Sequence, residues 1–308
     1  MERGDGTAVA RQTAGVIAVM ADEIQTKTAF IFAGGGSFGA IQVGMLHALA
    51  AHGVKADMVF GSSVGALNCA HYAGNPTLEG VEQLEAIWRG LRRRDVFQVT
   101  WRTMFGFLRR RDFLATSDGL RQLVDKNLPY RNLEDAKIPV HIIATDILSA
   151  ETVVLSTGPA ADAILASAAL PPAFPPVHLE QLYLADGAIT SNTPVKIAVA
   201  RGARRLIVLP TGYACALQEP PRGAVATALH ALTLLIARQL IAEVESLGPE
   251  VAYFIAPPLC PLKGSPYDFS QTAELITRAR ESTRAWIAEG GLEHSRVHAQ
   301  LGLHKHDH

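Results

Sequence analysis

The chain has 308 residues with 28 basic and 29 acidic side chains, so it has room for a large core and carries a formal charge of −1. That balance gives no electrostatic ground for a nucleic-acid partner. Only 19% of residues are charged and 48% are hydrophobic, which fits an α/β core with helices on both faces of a sheet. Cys69, Cys215 and Cys260 are odd in number and far apart, which excludes a CxxC unit and a disulfide framework; they read as structural thiols in a reducing compartment, and a cytoplasmic location is expected.

In chain order, Arg3 and Arg11 precede a short apolar stretch from Ala14 to Ala21, which is too brief for a convincing secretion signal. Residues 1–27 therefore read as a flexible leader. Residues 28–32 (TAFIF) form a buried-strand pattern, followed by GGGSFG and a helical run over 40–52. A second strand over 57–60 enters GSSVG, and another helix runs to about residue 73. Two successive strand–glycine turn–helix units indicate parallel βαβ architecture. Helices are expected over 78–91, after a cap at Ser117, over 162–169, 225–245 and 270–288. Strands are expected over 140–144, 152–155, 181–184, 206–209 and 251–255. No run reaches roughly 18 clean apolar residues, so no membrane span is expected. The terminal histidines, His304, His306 and His308, lack surrounding architecture, and residues 291–308 read as a tail with no metal role.

Gly61-Ser62-Ser63-Val64-Gly65 fits the GxSxG pattern between a strand and a helix. The tight turn needs small flanking residues and presents one hydroxyl at its apex, beside the unpaired N–H groups of a helix start. Ser63 occupies that apex and Ser62 faces away from it. Gly34-Gly35-Gly36 also follows a strand and exposes N–H groups without Cβ obstruction, as an oxyanion nest requires. A phosphate loop is the rival reading. The segment lacks the Lys of GxxxxGK[ST], and although Gly34, Gly36 and Gly39 satisfy a bare GxGxxG, Asp57 precedes its strand rather than ending one. A purely structural turn is the third.

A Ser–His–Asp machine needs a histidine, and none is well placed by sequence. His71 is close to Ser63 on the same predicted helix, His178 lies in a proline-rich loop, His230 falls in an apolar helix, and His294 and His298 lie near the end. Asp186 closes a short strand before Gly187-Ala188 and is the better candidate to take a proton from Ser63 directly; its bland reading is an Asp-Gly turn.

Together, GGGSFG (34–39), GSSVG (61–65) and Asp186-Gly187-Ala188 resemble the patatin-like phospholipase family, as do Ala166-Ser167-Ala168-Ala169-Leu170-Pro171 and the stretch from Phe174 to Val177. The resemblance spans about 28–208. It implies a three-layer α/β/α sandwich with a mostly parallel central sheet, and a Ser–Asp dyad that works without cofactor or metal. It further implies Ser63 as nucleophile, Asp186 as base, and Gly34, Gly35 and Gly36 as the oxyanion loop, with Gly39, Gly61, Gly65 and Gly187 supporting the motifs. The family often carries Lys or Arg where this chain has Phe38, which removes a cationic contact for a phospholipid headgroup.

The expected substrate is a lipid or other acyl ester, handled by a phospholipase A- or lysophospholipase-like hydrolase; a carboxylesterase for other esters, a transacylase and a membrane-associated interaction protein are the alternatives. Within a single catalytic domain over 28–290, residues 89–116 read as a basic and aromatic insertion. Between 89 and 111 there are eight arginines and one acid, Asp95, and Trp101, Met104, Phe105 and Leu108 make one stripe if the segment is helical. A lid over the site and a peripheral contact with an anionic membrane are both compatible with that pattern, while a protein or nucleic-acid patch is the remaining reading.

Overall fold

A computed structural model describes residues 26–96, 116–171, 173–212, 220–221, 223–260, 262 and 265–295. The leader, most of the basic and aromatic insertion, Cys215, His298 and the histidine tail therefore lie outside the described residues.

The chain builds β1 (Thr28–Phe32), α1 (Gly39–Ala51), β2 (Met58–Ser62), α2 (Val64–Gly74) and α3 (Leu78–Gly90), followed by the short α4 (Arg93–Val96). Next come α5 (Asp118–Asn127), β3 (Val140–Asp146), β4 (Thr152–Leu155), α6 (Ala160–Ser167), β5 (Val177–Leu179) and β6 (Leu182–Asp186). The remainder is α7 (Ala188–Ser191), α8 (Val195–Ala200), β7 (Arg205–Leu209), α9 (Ala224–Glu245), β8 (Ala252–Ile255) and α10 (Thr272–Ala288).

Among the described residues the strands form one sheet in the order β5-β6-β3-β2-β1-β7-β8, with β4 paired to β3. The run β3-β2-β1-β7-β8 is parallel, and β4, β5 and β6 add antiparallel pairings at one side. The alternation of side chains along β1 explains the layers. Phe30 and Phe32 pack with α1, α2, α3 and α10, whereas Ala29 and Ile31 pack with Val195 and Ala198 of α8 and Leu240 and Val244 of α9. The central strand is buried on both faces, as its unbroken apolar sequence requires. This is the expected three-layer α/β/α sandwich with a mostly parallel sheet.

Several boundaries differ from the sequence reading. Ser117 precedes α5 but its hydroxyl makes no cap bond to that helix, because its backbone lies near φ −82° and ψ 3° rather than in the extended form a capping side chain needs. Helix α6 stops at Ser167, so residues 168–171 are free to turn toward β6. The three-residue β5 and the short helices α7 and α8 were too brief for a periodic signal. Among the described residues no helix is long and apolar enough to cross a membrane.

Candidate active site

Strand β2 ends at Ser62 and α2 begins at Val64, leaving Ser63 alone to make the turn. Its backbone sits at φ 55° and ψ −125°, a sparsely populated region for a residue with a Cβ. The flanking glycines permit the turn because a side chain at Gly61 would run into the carbonyl of Gly65. A side chain at Gly65 would meet the carbonyls of Phe32 and Ala33 at the end of β1. The Ser63 N–H donates to Ser167 Oγ at 2.9 Å, and Ser167 Oγ donates to the Ile143 carbonyl at 2.5 Å. Ser62 is fully buried, and its Oγ lies against Gly187, where an added Cβ would come within 2.6 Å.

Sheet register brings the carboxylate to this turn. Ser62 pairs with Ile143, and the next residue of β3, Ala144, pairs with Asp186 of β6. Adjacent positions on one strand thus hold the two segments whose side chains meet. Ser63 Oγ donates to Asp186 Oδ2 at 2.7 Å, and the Ala188 N–H donates to Oδ1 at 2.8 Å. The Asp186 main chain is anchored on both sides: its N–H donates to Ala169 O at 3.1 Å and its carbonyl accepts from Thr145 Oγ1 at 2.9 Å. Burial pushes the Asp186 carboxyl up to about 7, while the bonds from Ala188 and Ser63 pull it the other way.

The stretch after α6 holds both groups at once, through Ser167 Oγ on Ser63 and the Ala169 carbonyl on Asp186. In the sequence these residues belong to a family-like stretch, and nothing there assigns them a task. The available signal was a serine placed among alanines at a helix end, just before two prolines.

Gly34 sits against the turn, and a Cβ there would lie 3.0 Å from the Ser63 Cβ. Its N–H donates weakly to Asn192 O at 3.4 Å and its carbonyl accepts from Thr211 Oγ1 at 2.6 Å. Gly36 has φ +59°, and an added side chain would collide with the Pro266 carbonyl. Among the described residues the N–H groups of Gly35 and Gly36 have no acceptor, and both glycines line the same cavity as Ser63. Gly39 packs under Val64 and the Trp88 ring, where no larger residue fits.

A buried polar chain holds the loop from below. Trp88 Nε1 donates to Asn68 Oδ1 at 2.8 Å, and Asn68 Nδ2 donates to Gln42 Oε1 at 2.8 Å and to Gly39 O at 3.0 Å. Gln42 Nε2 then bridges Ala33 O at 2.8 Å and Leu209 O at 2.9 Å, joining the ends of β1 and β7. Because its polar atoms are mutually satisfied, their hydrogen bonds offset the cost of desolvation, and the chain makes the loop rigid.

These groups open into a cavity of about 370 Å³ whose walls are mainly apolar, including Leu91, Leu120, Ile164, Phe174, Leu232 and Ile236. Phe38 lines it at the position noted for its lack of charge. His230 also lines it, half-buried, rather than lying in the core. His71 is buried on the far part of α2 beside a separate cavity of about 320 Å³, and burial lowers its pKa to about 4. His178 packs against Tyr183 with the rings tilted 43° and their centroids 4.6 Å apart. Asp57 accepts from the Thr28 N–H at 2.7 Å, at the start of β1, so it lies at the opposite strand end from the glycine loop and cannot serve a ribose there. Cys69 is buried and Cys260 partly so; neither is in a disulfide. Among the described residues no group of three or more His, Cys, Asp or Glu side chains could hold a metal ion.

The chain is 29% identical over 192 residues to a patatin-like phospholipase domain-containing protein of Caenorhabditis elegans, covering 59% of this chain and 16% of that protein. It is 28% identical over 182 residues to a lysophospholipase of Mycosarcoma maydis, covering 59% of this chain and 9% of that one. The chain thus spans less than a fifth of the length of either relative. The solved structure of VipD from Legionella pneumophila aligns with a TM-score of 0.46 at 14% identity, over 86% of this chain and 67% of that chain. The family model described as Patatin-like phospholipase matches residues 30–199, more than half of the sequence and the part that carries the glycine loop, the Ser63 turn and Asp186; the chain belongs to the patatin-like phospholipase family.

Proposed function

We propose that the chain is a serine hydrolase of lipid acyl esters, phospholipase A- or lysophospholipase-like, with Ser63 as nucleophile and Asp186 as its base. The observation that carries the reading is the 2.7 Å bond from Ser63 Oγ to a fully buried carboxylate, beside two glycine N–H groups with no acceptor among the described residues, in a mainly apolar cavity. Family membership and the lysophospholipase name of the Mycosarcoma maydis relative support the substrate class.

In the first step Ser63 Oγ bonds to the ester carbonyl carbon as its proton passes to Asp186 Oδ2. The carbonyl oxygen becomes an oxyanion facing the Gly35 and Gly36 N–H groups, with Gly34 shaping the approach; one such donor contributes roughly 3 kcal/mol to transition-state stabilisation. Collapse breaks the bond to the leaving oxygen, which takes the proton from Asp186 and departs as an alcohol or lysolipid. The acyl-Ser63 ester remains. Water then attacks it, giving a proton to Asp186, and the acid leaves as Ser63 Oγ regains a proton. A carboxyl with a pKa near 7 suits this exchange, since it both accepts and returns a proton near neutrality. Gly39, Gly61, Gly65 and Gly187 serve by allowing the close backbone packing around these groups.

The domain reading extends to 28–290 as one catalytic unit, with 89–116 covering the site or meeting an anionic membrane peripherally in a cytoplasmic setting. Val96, the last described residue before 97–115, lines the cavity and supports that placement. The test is a hydrolysis screen across lysophospholipids, diacyl phospholipids and neutral glycerides, comparing wild type with Ser63→Ala and Asp186→Asn. Loss of turnover in both folded variants is expected. Full activity in Ser63→Ala would overturn the reading.

A further inference from the structure

The segment that carries Asp186 reaches the nucleophile turn twice. At its start the Asp186 carboxylate accepts from Ser63 Oγ, and at its end, just after α7, Asn192 packs on the glycine loop. The Asn192 carbonyl ties it there by accepting from the Gly34 N–H at 3.4 Å. The space beside Gly34 places the side chain as well. A Cβ at that glycine would lie 2.5 Å from Asn192 Oδ1 and 3.0 Å from Ser63 Cβ. The carboxamide and the side chain of the nucleophile thus converge on one point.

Asn192 is only 4% exposed, and its Oδ1 is buried with no hydrogen-bond donor among the described residues. Its Nδ2 has no acceptor among them either. Buried side-chain amides are ordinarily paired, and this one keeps both donor and acceptor capacity unused beside the serine. Its neighbour sets its orientation. The Gly34 hydrogen that stands where a Cβ would be is a weak donor facing Oδ1, and exchanging O with N would set N–H against C–H. Nδ2 is therefore the polar edge that Asn192 offers to the cavity it lines with Ser63, Gly35 and Gly36.

We propose that Asn192 is a third oxyanion donor, its Nδ2 donating to the ester carbonyl oxygen as Ser63 adds to the carbon; this rests on the Ser63–Asp186 reading. That oxygen lies beside the N–H groups of Gly35 and Gly36, next along the loop from the glycine that Asn192 contacts. Ser63 Oγ bonds to the carbonyl carbon, the π pair of the carbonyl moves onto its oxygen, and the serine proton goes to Asp186. The amide transfers nothing. Its hydrogen bond strengthens as the oxygen becomes negative, so an amide unpaired in the resting protein is satisfied in the transition state.

The experiment compares wild type, Asn192→Leu, Asn192→Ala and Ser63→Ala. Asn192→Leu keeps the approximate shape and removes the donor. It should lower kcat about a hundredfold with KM within about threefold. It should unfold at the same temperature as wild type or higher, because an unpaired polar group is gone. The decisive readout is an alkyl trifluoromethyl ketone, isotope-labelled at its carbonyl carbon and followed by NMR, which adds to Ser63 as a hemiketal. The hemiketal hydroxyl should ionise about two pH units higher in Asn192→Leu than in wild type, matching the loss in kcat. The same ionisation in both proteins, or a loss confined to KM, overturns the oxyanion role. Lost stability with unaltered ionisation is the signature of a merely structural side chain and overturns it too. If Asn192→Leu fails to fold, Asn192→Ala carries the same comparisons. Turnover surviving in Ser63→Ala sinks the underlying dyad, whereas an inactive Ser63→Ala beside a hemiketal indifferent to Asn192 sinks only the asparagine.

Discussion

Helix α2 borders two cavities of similar size, and they could hardly differ more in chemistry. Near its N-terminus lies the cavity of about 370 Å³ around Ser63, with Asp186 bonded to the serine and two glycine N–H groups that have no acceptor among the described residues. Farther along lies the cavity of about 320 Å³ beside His71, lined by Asn75, Gln83, Asn127 and Lys137. Burial perturbs a titratable group in each: Asp186 is raised to about 7 and His71 is lowered to about 4. The cause is the same, desolvation of the charged form, but the consequences diverge. Asp186 is brought to the range where it can accept and return a proton, and it touches a hydroxyl in a strained turn. His71 is held neutral, and among the described residues its buried Nδ1 has no hydrogen-bond partner. Volume and a shifted pKa do not make a site; convergence of nucleophile, acceptor and donors does.

The largest expected effect separates the two cavities outright. Ser63→Ala should lower kcat by at least about a thousandfold, measured on any ester the protein turns over, with the fold retained by circular dichroism. Asp186→Asn should come close to that loss. In the wild type, kcat/KM should rise with pH through about 7, because the base must be ionised to accept the serine proton.

Asp186→Asn also tests stability, with the opposite sign. The folded carboxyl titrates near 7 and the unfolded one near 3.8. The folded state therefore keeps a proton that the unfolded chain releases, so this group's contribution is complete below about pH 4 and is lost as pH rises through about 7. Replacing the carboxyl removes that loss. The variant should unfold at a higher temperature than wild type at about pH 8, with a gain of up to about 4 kcal/mol, and should match it near pH 4. A variant less stable than wild type at the higher pH would show that the Asp186 bonds outweigh its burial.

Smaller effects sharpen the boundary of the site. Ser167→Ala removes the acceptor for the Ser63 N–H and should lower kcat about tenfold while leaving KM nearly unchanged, since the strained turn is then less firmly held. His71→Gln should leave activity within about twofold and alter stability by about 1 kcal/mol or less. A large kinetic effect of His71→Gln would join the second cavity to the first and break the contrast.

Much of this organisation was visible in the residues. The strand TAFIF (28–32) is apolar from Ala29 to Phe32 and is buried on both faces, and the two strand–glycine–helix units are adjacent in the parallel sheet. Ser63 could be preferred to Ser62 because only one residue can occupy the apex of so tight a turn. Asp186 was legible only as an Asp-Gly pair at a strand end, and it gained weight from motifs elsewhere in the chain. Asn68 and Gln42 gave no usable sign, because each acts through partners distant in sequence, and Ser167 offered only its place among alanines at a helix end. Ser167 lies 104 residues from Ser63, and the Ser37 hydroxyl meets a carbonyl 228 residues away. His230 falls in a helix that reads as apolar, at the core or its margin, and the fold places it half-buried on a face of α9 that borders the cavity.

The sequence by itself determined the local devices: buried strands from unbroken apolar runs, a serine turn from flanking small residues, and a donor-rich loop from consecutive glycines. Those depend on backbone sterics and short-range periodicity, which neighbouring residues settle. Only the tertiary structure decided which carboxylate meets Ser63, which residues hold the glycine loop, and what lines the cavity. Those depend on the register of β6 against β3 and on the return of residues 265–269 to the glycine loop, and long-range packing sets both. The same separation marks Asp186 itself, whose position in the chain is a turn signal but whose pKa near 7 comes from complete burial in the folded protein.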